Sequence, residues 1–306
     1  MIQRVYFILF PTPSAGFHPP ATRQGNFGMM QKRPDARSSA RAGFTLVELA
    51  IVLTIVGLLI AGVLEGQQLI QNQRVTSTIA QIKAYEAAIT TFQDKYGQMP
   101  GDMANAGSRI TNCNANCNPV AAGAGNDFVG RRDWTSDWAS QTSDPYTVPA
   151  SSEADETTLF WLHLNMAELI SGVTDIALET GGKAEFGEAY PKTPVGGGFL
   201  IGNGDGHNPP GNPDAGTTTG PQNLILALVS TPTADATSMV VPNAQPLKPG
   251  EAQRIDERID DSRPQSGIVY AFGVQDSCFV DDGAGSRIYA ASINSRDCGL
   301  VFKLIR

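Results

Sequence analysis

The sequence predicts an α+β protein in which a long amino-terminal helix, membrane-spanning in its first half, packs on the antiparallel β-sheet of a carboxy-terminal head. Three observations lead there. Residues 44–64 form an apolar run with one charge, Glu48, and a bilayer crossing takes about 20 such residues. Beyond Glu65 the apolar residues recur at helical spacing instead of running continuously. After Pro100 the chain breaks into short apolar runs divided by Gly, Pro, Asn and Asp, the pattern of short strands joined by turns.

Residues 1–43 precede the apolar run and read as a leader. Met1 to Gly28 mixes Pro, Gly and aromatic residues without periodicity, whereas the stretch from Met29 or Met30 to Gly43 is short, basic and polar. That second part has the composition of a cytoplasmic flank under the positive-inside rule. Translation is therefore expected to begin at Met29 or Met30, leaving 1–28 outside the protein.

The long helix is expected over 44–97, with 44–64 in the membrane. Its apolar half carries Glu48 four residues in, and a carboxylate at mid-membrane depth costs about 2.5 kcal/mol or more. It needs a cation, and a new amino terminus made by cutting after Gly43 would supply one. Gly57 and Gly62 interrupt the run; each weakens a helix by up to about 1 kcal/mol and suits close helix–helix approach. Further on, Ile79, Ile82, Tyr85, Ile89, Phe92 and Tyr96 form one face, with Gln81, Lys83, Glu86, Gln93 and Asp94 on the wet side. Gly97 is the expected C-cap, and Pro100 lies just beyond it.

The head is expected over 98–306. Residues 105–155 are rich in Asn, Gly, Ser, Thr and Asp and predict an irregular insertion anchored by Trp134 and Trp138. Residues 155–171 predict a second helix with Leu159, Leu162, Met166 and Leu169 on one face, ended by Gly172. His163 within it lacks any partner motif and reads as a packing or surface residue. Strands are expected at 198–201, 223–229, 267–273, 287–291 and 300–305. A short helix is expected at 249–259, where Pro249 suits the first helical position and Ile255 and Ile259 share a face.

Charge and cysteine usage bound the function. The chain has 22 basic and 30 acidic residues. The leader holds six of the basic residues (Arg4, Arg23, Lys32, Arg33, Arg37, Arg41) and one acidic one (Asp35), leaving 16 against 29 beyond Gly43, a net charge of −13. With no basic run after residue 43, direct nucleic-acid binding is disfavoured. All four cysteines follow the apolar helix, in the part that would be exported, where disulfides persist. Four cysteines allow three pairings; the local one, Cys113 with Cys117 and Cys278 with Cys298, is expected. The Cys-x-x-x-Cys spacing lacks a neighbouring histidine, since His18, His163 and His207 are the only ones, so zinc is not expected.

Two acidic groups resemble metal loops only loosely. Asn203, Asp205, His207 and Asp214 approximate a calcium-loop spacing, but Asn208 stands where glycine is needed and no bidentate Glu closes the set. Asp256, Asp260 and Asp261 read as solvated residues or as N-cap chemistry. No metal site and no cofactor are expected. There is no Gly-x-Ser-x-Gly elbow, no phosphate loop and no nucleophile–base pairing, so the chain reads as no enzyme.

Gly43-Phe44-Thr45-Leu46-Val47-Glu48 resembles the signature of the type IV prepilin family, which includes the type II secretion pseudopilins. The resemblance implies the ladle-shaped pilin fold and cleavage between Gly43 and Phe44 by a prepilin peptidase. It also implies methylation of the Phe44 amine, and assembly into a helical filament in which Glu48 meets that amine on a neighbouring copy. It implies as partners identical or related pilin subunits, the peptidase and an inner-membrane assembly platform. The location implied is the inner membrane as precursor, then a surface pilus or a periplasmic pseudopilus. It further implies local melting of the helix near Gly57 and Gly62 in the filament. Tyr96-Gly97-Gln98-Met99-Pro100-Gly101-Asp102 and the acidic turn 259–267 look like family elements, and Cys278–Cys298 resembles the carboxy-terminal disulfide loop of many pilins. Many major pilins carry proline where this chain has Glu65, which leans towards a minor or pseudopilin-like subunit. The rival from another class is a membrane-anchored adhesin or binding module that does not polymerise.

Overall fold

The computed structural model describes residues 43–113, 117–119, 124–129, 156–173, 185–205, 222–232, 238–283 and 286–304. The leader up to Ala42, the tryptophan anchors Trp134 and Trp138, and His207 and Asp214 of the loose calcium-like spacing lie outside these residues. Two compact units divide the chain, residues 1–55 and 56–306. Their boundary falls inside helix α1, Leu46–Tyr96.

From Val56 onward the architecture is α+β. Among the described residues, three further α-helices, α2 (Ala106–Arg109), α3 (Glu156–Met166) and α4 (Pro249–Ile259), accompany six strands. The strands are β1 (Gly198–Asp205), β2 (Gln222–Val229), β3 (Val269–Gly273), β4 (Phe279–Asp281), β5 (Arg287–Tyr289) and β6 (Cys298–Lys303). The main sheet runs β1-β2-β6-β3, and every pairing in it is antiparallel. β4 and β5 make a separate hairpin. Central β2 and β6 bury successive residues, Leu224 to Val229 and Cys298 to Phe302, because elements cover both faces of the sheet. That is why their sequences are continuously apolar rather than alternating.

The upper part of α1 supplies one of those covers. Its buried residues are Val75, Thr78, Ile82, Tyr85, Ala88, Ile89, Phe92 and Tyr96, a stripe at intervals of three and four. Tyr85 meets Trp161 of α3 and Phe199 of β1 edge-on at centroid distances of 5.0 and 5.8 Å. Gln81 Nε2 donates to the Lys192 carbonyl at 3.0 Å. Ile79, expected on the buried face, is only partly covered, and Val75 and Thr78 extend the stripe one turn earlier than its aromatic members suggest.

The junction after α1 is held residue by residue. Gly97 takes a left-handed conformation (φ 69°) that stops the helix. Arg109 of α2 donates to the Tyr96 carbonyl at 2.7 Å. Gly101 (φ 84°) passes so close to the Glu156 carbonyl that any Cβ would collide with it, and its N–H donates to His163 Nδ1 at 2.8 Å. Asp102 accepts from the N–H groups of Gly125 (2.5 Å), Asn126 (3.3 Å) and Asp127 (2.6 Å). The short turn thus ties α1, α3 and the start of the insertion together.

Helix α3 departs from its expected one-sided form. Thr157, Thr158, Leu159, Phe160, Trp161, His163 and Leu164 are all buried, so neighbours surround the helix and Leu162 and Met166 are left only partly covered. It ends at Met166, not at Gly172. Glu168 takes the left-handed conformation (φ 60°), its N–H reaches the Asn165 carbonyl (2.9 Å), and the Leu169 N–H reaches the Leu164 carbonyl (3.0 Å). This is a Schellman ending with glutamate where glycine usually stands.

Cys113 is bonded to Cys117 and Cys278 to Cys298. The first pair closes the loop whose Cys117 carbonyl meets His163 Nε2 at 2.8 Å. The second joins β6 to the turn before β4. Asp297, beside Cys298, accepts from the Asn243 N–H at 2.6 Å and from the Ser277 and Ser295 hydroxyls. Burial works to raise its pKa, but these donors outweigh burial and hold it below the usual carboxylate value.

Candidate processing and assembly site

The described chain begins at Gly43, and its first helical turn is built by two side chains. The Thr45 N–H and hydroxyl both donate to Glu48 Oε2, at 2.9 and 3.0 Å. In return the Glu48 N–H donates to Thr45 Oγ1 at 3.2 Å. Thr45 is therefore the N-cap, Leu46 the first helical residue and Glu48 the third, a reciprocal capping box that satisfies two otherwise orphaned N–H groups. The Leu49 N–H then bonds to the Thr45 carbonyl at 3.2 Å.

Thr45 is the participant that sequence reasoning missed. Its signal is plain in hindsight: Thr-x-x-Glu directly ahead of an apolar run is a helix-start pattern. Glu48, a costly acid in a bilayer, also closes its own helix end.

Among the described residues, nothing covers the surface around this turn. Gly43 and Phe44 are exposed, Phe44 at 81%, so the bond between them is open to approach, and glycine's missing Cβ narrows what a cleft must accommodate. Every residue from Gly43 to Ile70 is exposed except the half-covered Gly66. Helix α1 is long and apolar enough to cross a membrane, and none of its most apolar window is buried.

Residues 38–64 match the prokaryotic N-terminal methylation motif. The chain carries the type IV pilin and pseudopilin signature. Its long apolar helix and antiparallel sheet are consistent with the pilin-like α+β layout. No curated protein and no solved structure matches the chain. The motif supports a pilin-like or pseudopilin-type protein and, with the apolar helix behind it, supports membrane insertion. It points to a structural subunit and implies processing by a prepilin peptidase and assembly with other pilin subunits.

Away from this signature, His163 and Asp256 are fully buried in the head. His163 accepts from Gly101 at Nδ1, which leaves Nε2–H to donate to Cys117. The ring is neutral, and burial pushes its pKa down to about 4. Asp256 of α4 accepts from the Tyr289 hydroxyl at 2.8 Å. Burial pushes its pKa up to about 7, with Asp261 and Asp260 adding to the rise against the Tyr289 bond.

Asp256, Asp260 and Asp261 each bring a carboxylate oxygen within 4.8 Å of the others, and most of those oxygens already have protein partners. Asp260 accepts from the N–H groups of Ile268 and Val269. Asp261 accepts from the Arg263 N–H at 2.9 Å and from the Ser266 hydroxyl. These carboxylates fold the turn that leads from α4 into β3.

Proposed function

We propose that this chain is the precursor of a filament subunit, cut between Gly43 and Phe44, methylated on the Phe44 amine and polymerised through the apolar half of α1. The observation that carries the reading is the unclothed helix behind the methylation motif. Exposed residues of α1 such as Leu46, Leu53 and Leu58 lie at 86%, 69% and 75% exposure. Water disfavours so much apolar surface, so lipid covers it before assembly and other copies cover it afterwards.

Glu48 has two tasks in this scheme. Within its own chain it caps the helix. Between chains it meets the methylated amine of a neighbour, each charge offsetting the other's desolvation where water is scarce. Methylation keeps the amine charged. The precursor resides in the inner membrane and is passed by an assembly platform into a pilus on the cell surface.

Gln at position 48 separates the two tasks, because its amide oxygen still serves in a capping box but carries no charge. Glu48→Gln and Glu48→Ala chains are both expected to be cleaved, and both to yield no filaments in sheared-cell fractions. Filaments from the Glu48→Gln chain in wild-type amount would reduce Glu48 to a helix cap and sink its role between copies. A related reading is a periplasmic pseudopilus of the secretion type. The observation favouring it is Glu65, which replaces a proline common in major pilins.

A further inference from the structure

Glu65 stands in a stretch of helix with no cation. From Phe44 to Gln73 the sequence has two charges, Glu48 and Glu65, and no Lys or Arg. Glu65 is exposed, and the one ion pair among the described residues joins Lys83 to Glu86. Once neighbouring copies cover the apolar surface around it, Glu65 loses water and requires a positive partner.

Two arginines sit at the right height, paired with no acid among the described residues. In α4, Arg254 Nη1 donates to Asn72 Oδ1 at 3.1 Å, and Arg258 Nη1 donates to Thr76 Oγ1 at 2.6 Å. Both side chains are exposed and tethered to neutral groups of α1. Glu65, Asn72 and Thr76 are seven and eleven residues apart, which at 3.6 residues per turn puts them within about 20° of one stripe. The rise per residue sets the arginine tethers about 10 and 17 Å beyond Glu65 along the helix. Arg74 is nine residues from Glu65, half a turn away on the opposite face.

We propose that Arg254 and Arg258 form a basic clasp that receives Glu65 of a second copy of this chain, displaced about 10 to 17 Å along α1 towards its carboxyl end. The proposal rests on the filament reading and adds to it a register. Charge complementarity selects the occupant: the clasp is cationic, and the acid on the same stripe lies on the surface other copies would cover.

Co-expression of two tagged copies tests it, one carrying Glu65→Cys and the other Arg254→Cys. A mixed disulfide between the two tags is expected in sheared filaments, whereas a partner copy with Arg74→Cys in place of Arg254→Cys gives none. Charge exchange is the second arm. Glu65→Arg alone and Arg254→Glu with Arg258→Glu are each expected to lower filament yield about tenfold, equivalent to about 1.4 kcal/mol per contact. All three changes in one chain restore most of it. Filaments that form normally but give no mixed disulfide, or cross-link equally well through position 74, overturn the clasp and leave the filament reading intact. Wild-type cells without filaments, or filaments indifferent to Glu48→Ala, overturn the filament reading and the clasp with it.

Discussion

Helix α1 is one element with two kinds of surface. From Leu46 to Ile70 its large apolar side chains are all exposed, whereas from Val75 to Tyr96 it buries a single stripe against the head. The two stretches share backbone geometry and differ in who covers them. A stripe at helical spacing means that the chain's own fold supplies one covering surface and water the other. On α1 the apolar run without spacing stays exposed among the described residues, and in our reading its cover comes from outside the chain, first lipid and then other copies.

Paired truncations break this comparison most sharply. Phe92 is fully buried, and removing a buried Phe side chain typically costs about 3–5 kcal/mol. Phe92→Ala is therefore expected to lower head stability by that amount in denaturant titrations of the detergent-solubilised chain, followed by tryptophan fluorescence. Leu58→Ala removes a comparable apolar group that is 75% exposed, and head stability is expected to stay within about 0.5 kcal/mol. Equal losses would mean that the lower stretch is clothed after all.

The next largest effects lie in the pH dependence of the clothed region, where two buried groups pull in opposite directions. His163 has a folded pKa of about 4 against an ordinary value of 6.5. Its contribution is fully present above pH 6.5 and is lost as pH falls through 4, about 3 kcal/mol in all. Asp256 is the reverse, about 7 when folded against 3.8 ordinarily. It destabilises the head above pH 7, and that penalty, about 4 kcal/mol, is relieved as pH falls towards 3.8. Between pH 6.5 and 4 the two slopes largely offset in the wild-type protein. Single variants uncover each of them. Asp256→Asn, which keeps an acceptor for Tyr289, should raise the melting temperature at pH 8 and give a head that loses stability steeply on acidification. His163→Gln should give one that gains it. Matching pH profiles for the two variants would contradict both assignments.

The fold class and the upper stripe of α1 were legible because they rest on periodicity, which a single sequence carries. β1, β2 and α4 were located for the same reason: each is a clean apolar or amphipathic run between turn residues. β4 was missed because Phe279–Asp281 is three residues long, too short to show any period. Helix α3 looked one-sided because Leu159, Leu162 and Met166 stand at helical spacing, yet Thr157, Thr158 and His163 are buried too. The Thr158 hydroxyl meets Tyr190 and the His163 ring meets Cys117, both far along the chain. Tertiary partners of that kind leave no local trace. The Thr45–Glu48 box is the opposite case. Its pattern was local and readable, but the cost of an acid in a bilayer drew attention away from it.

That box also offers the smallest and sharpest test of the two-surface description. If lipid alone ordered the bare stretch, the first turn would not depend on its cap. Removing an N-cap hydroxyl costs about 1 kcal/mol, so Thr45→Ala should speed amide exchange at Leu46 to Glu48 about fivefold in micelles. Thr45→Ser, which keeps the hydroxyl, should leave it unchanged. The head, far along the chain, should melt as before in both variants. Unchanged exchange in Thr45→Ala would mean that the apolar surroundings hold the turn by themselves, and that Glu48 is free to serve a neighbour without giving up its cap. Faster exchange would mean that the cap holds the turn, so that in our filament reading capping and assembly compete for one carboxylate and an entering subunit loosens its own first turn as Glu48 changes partners.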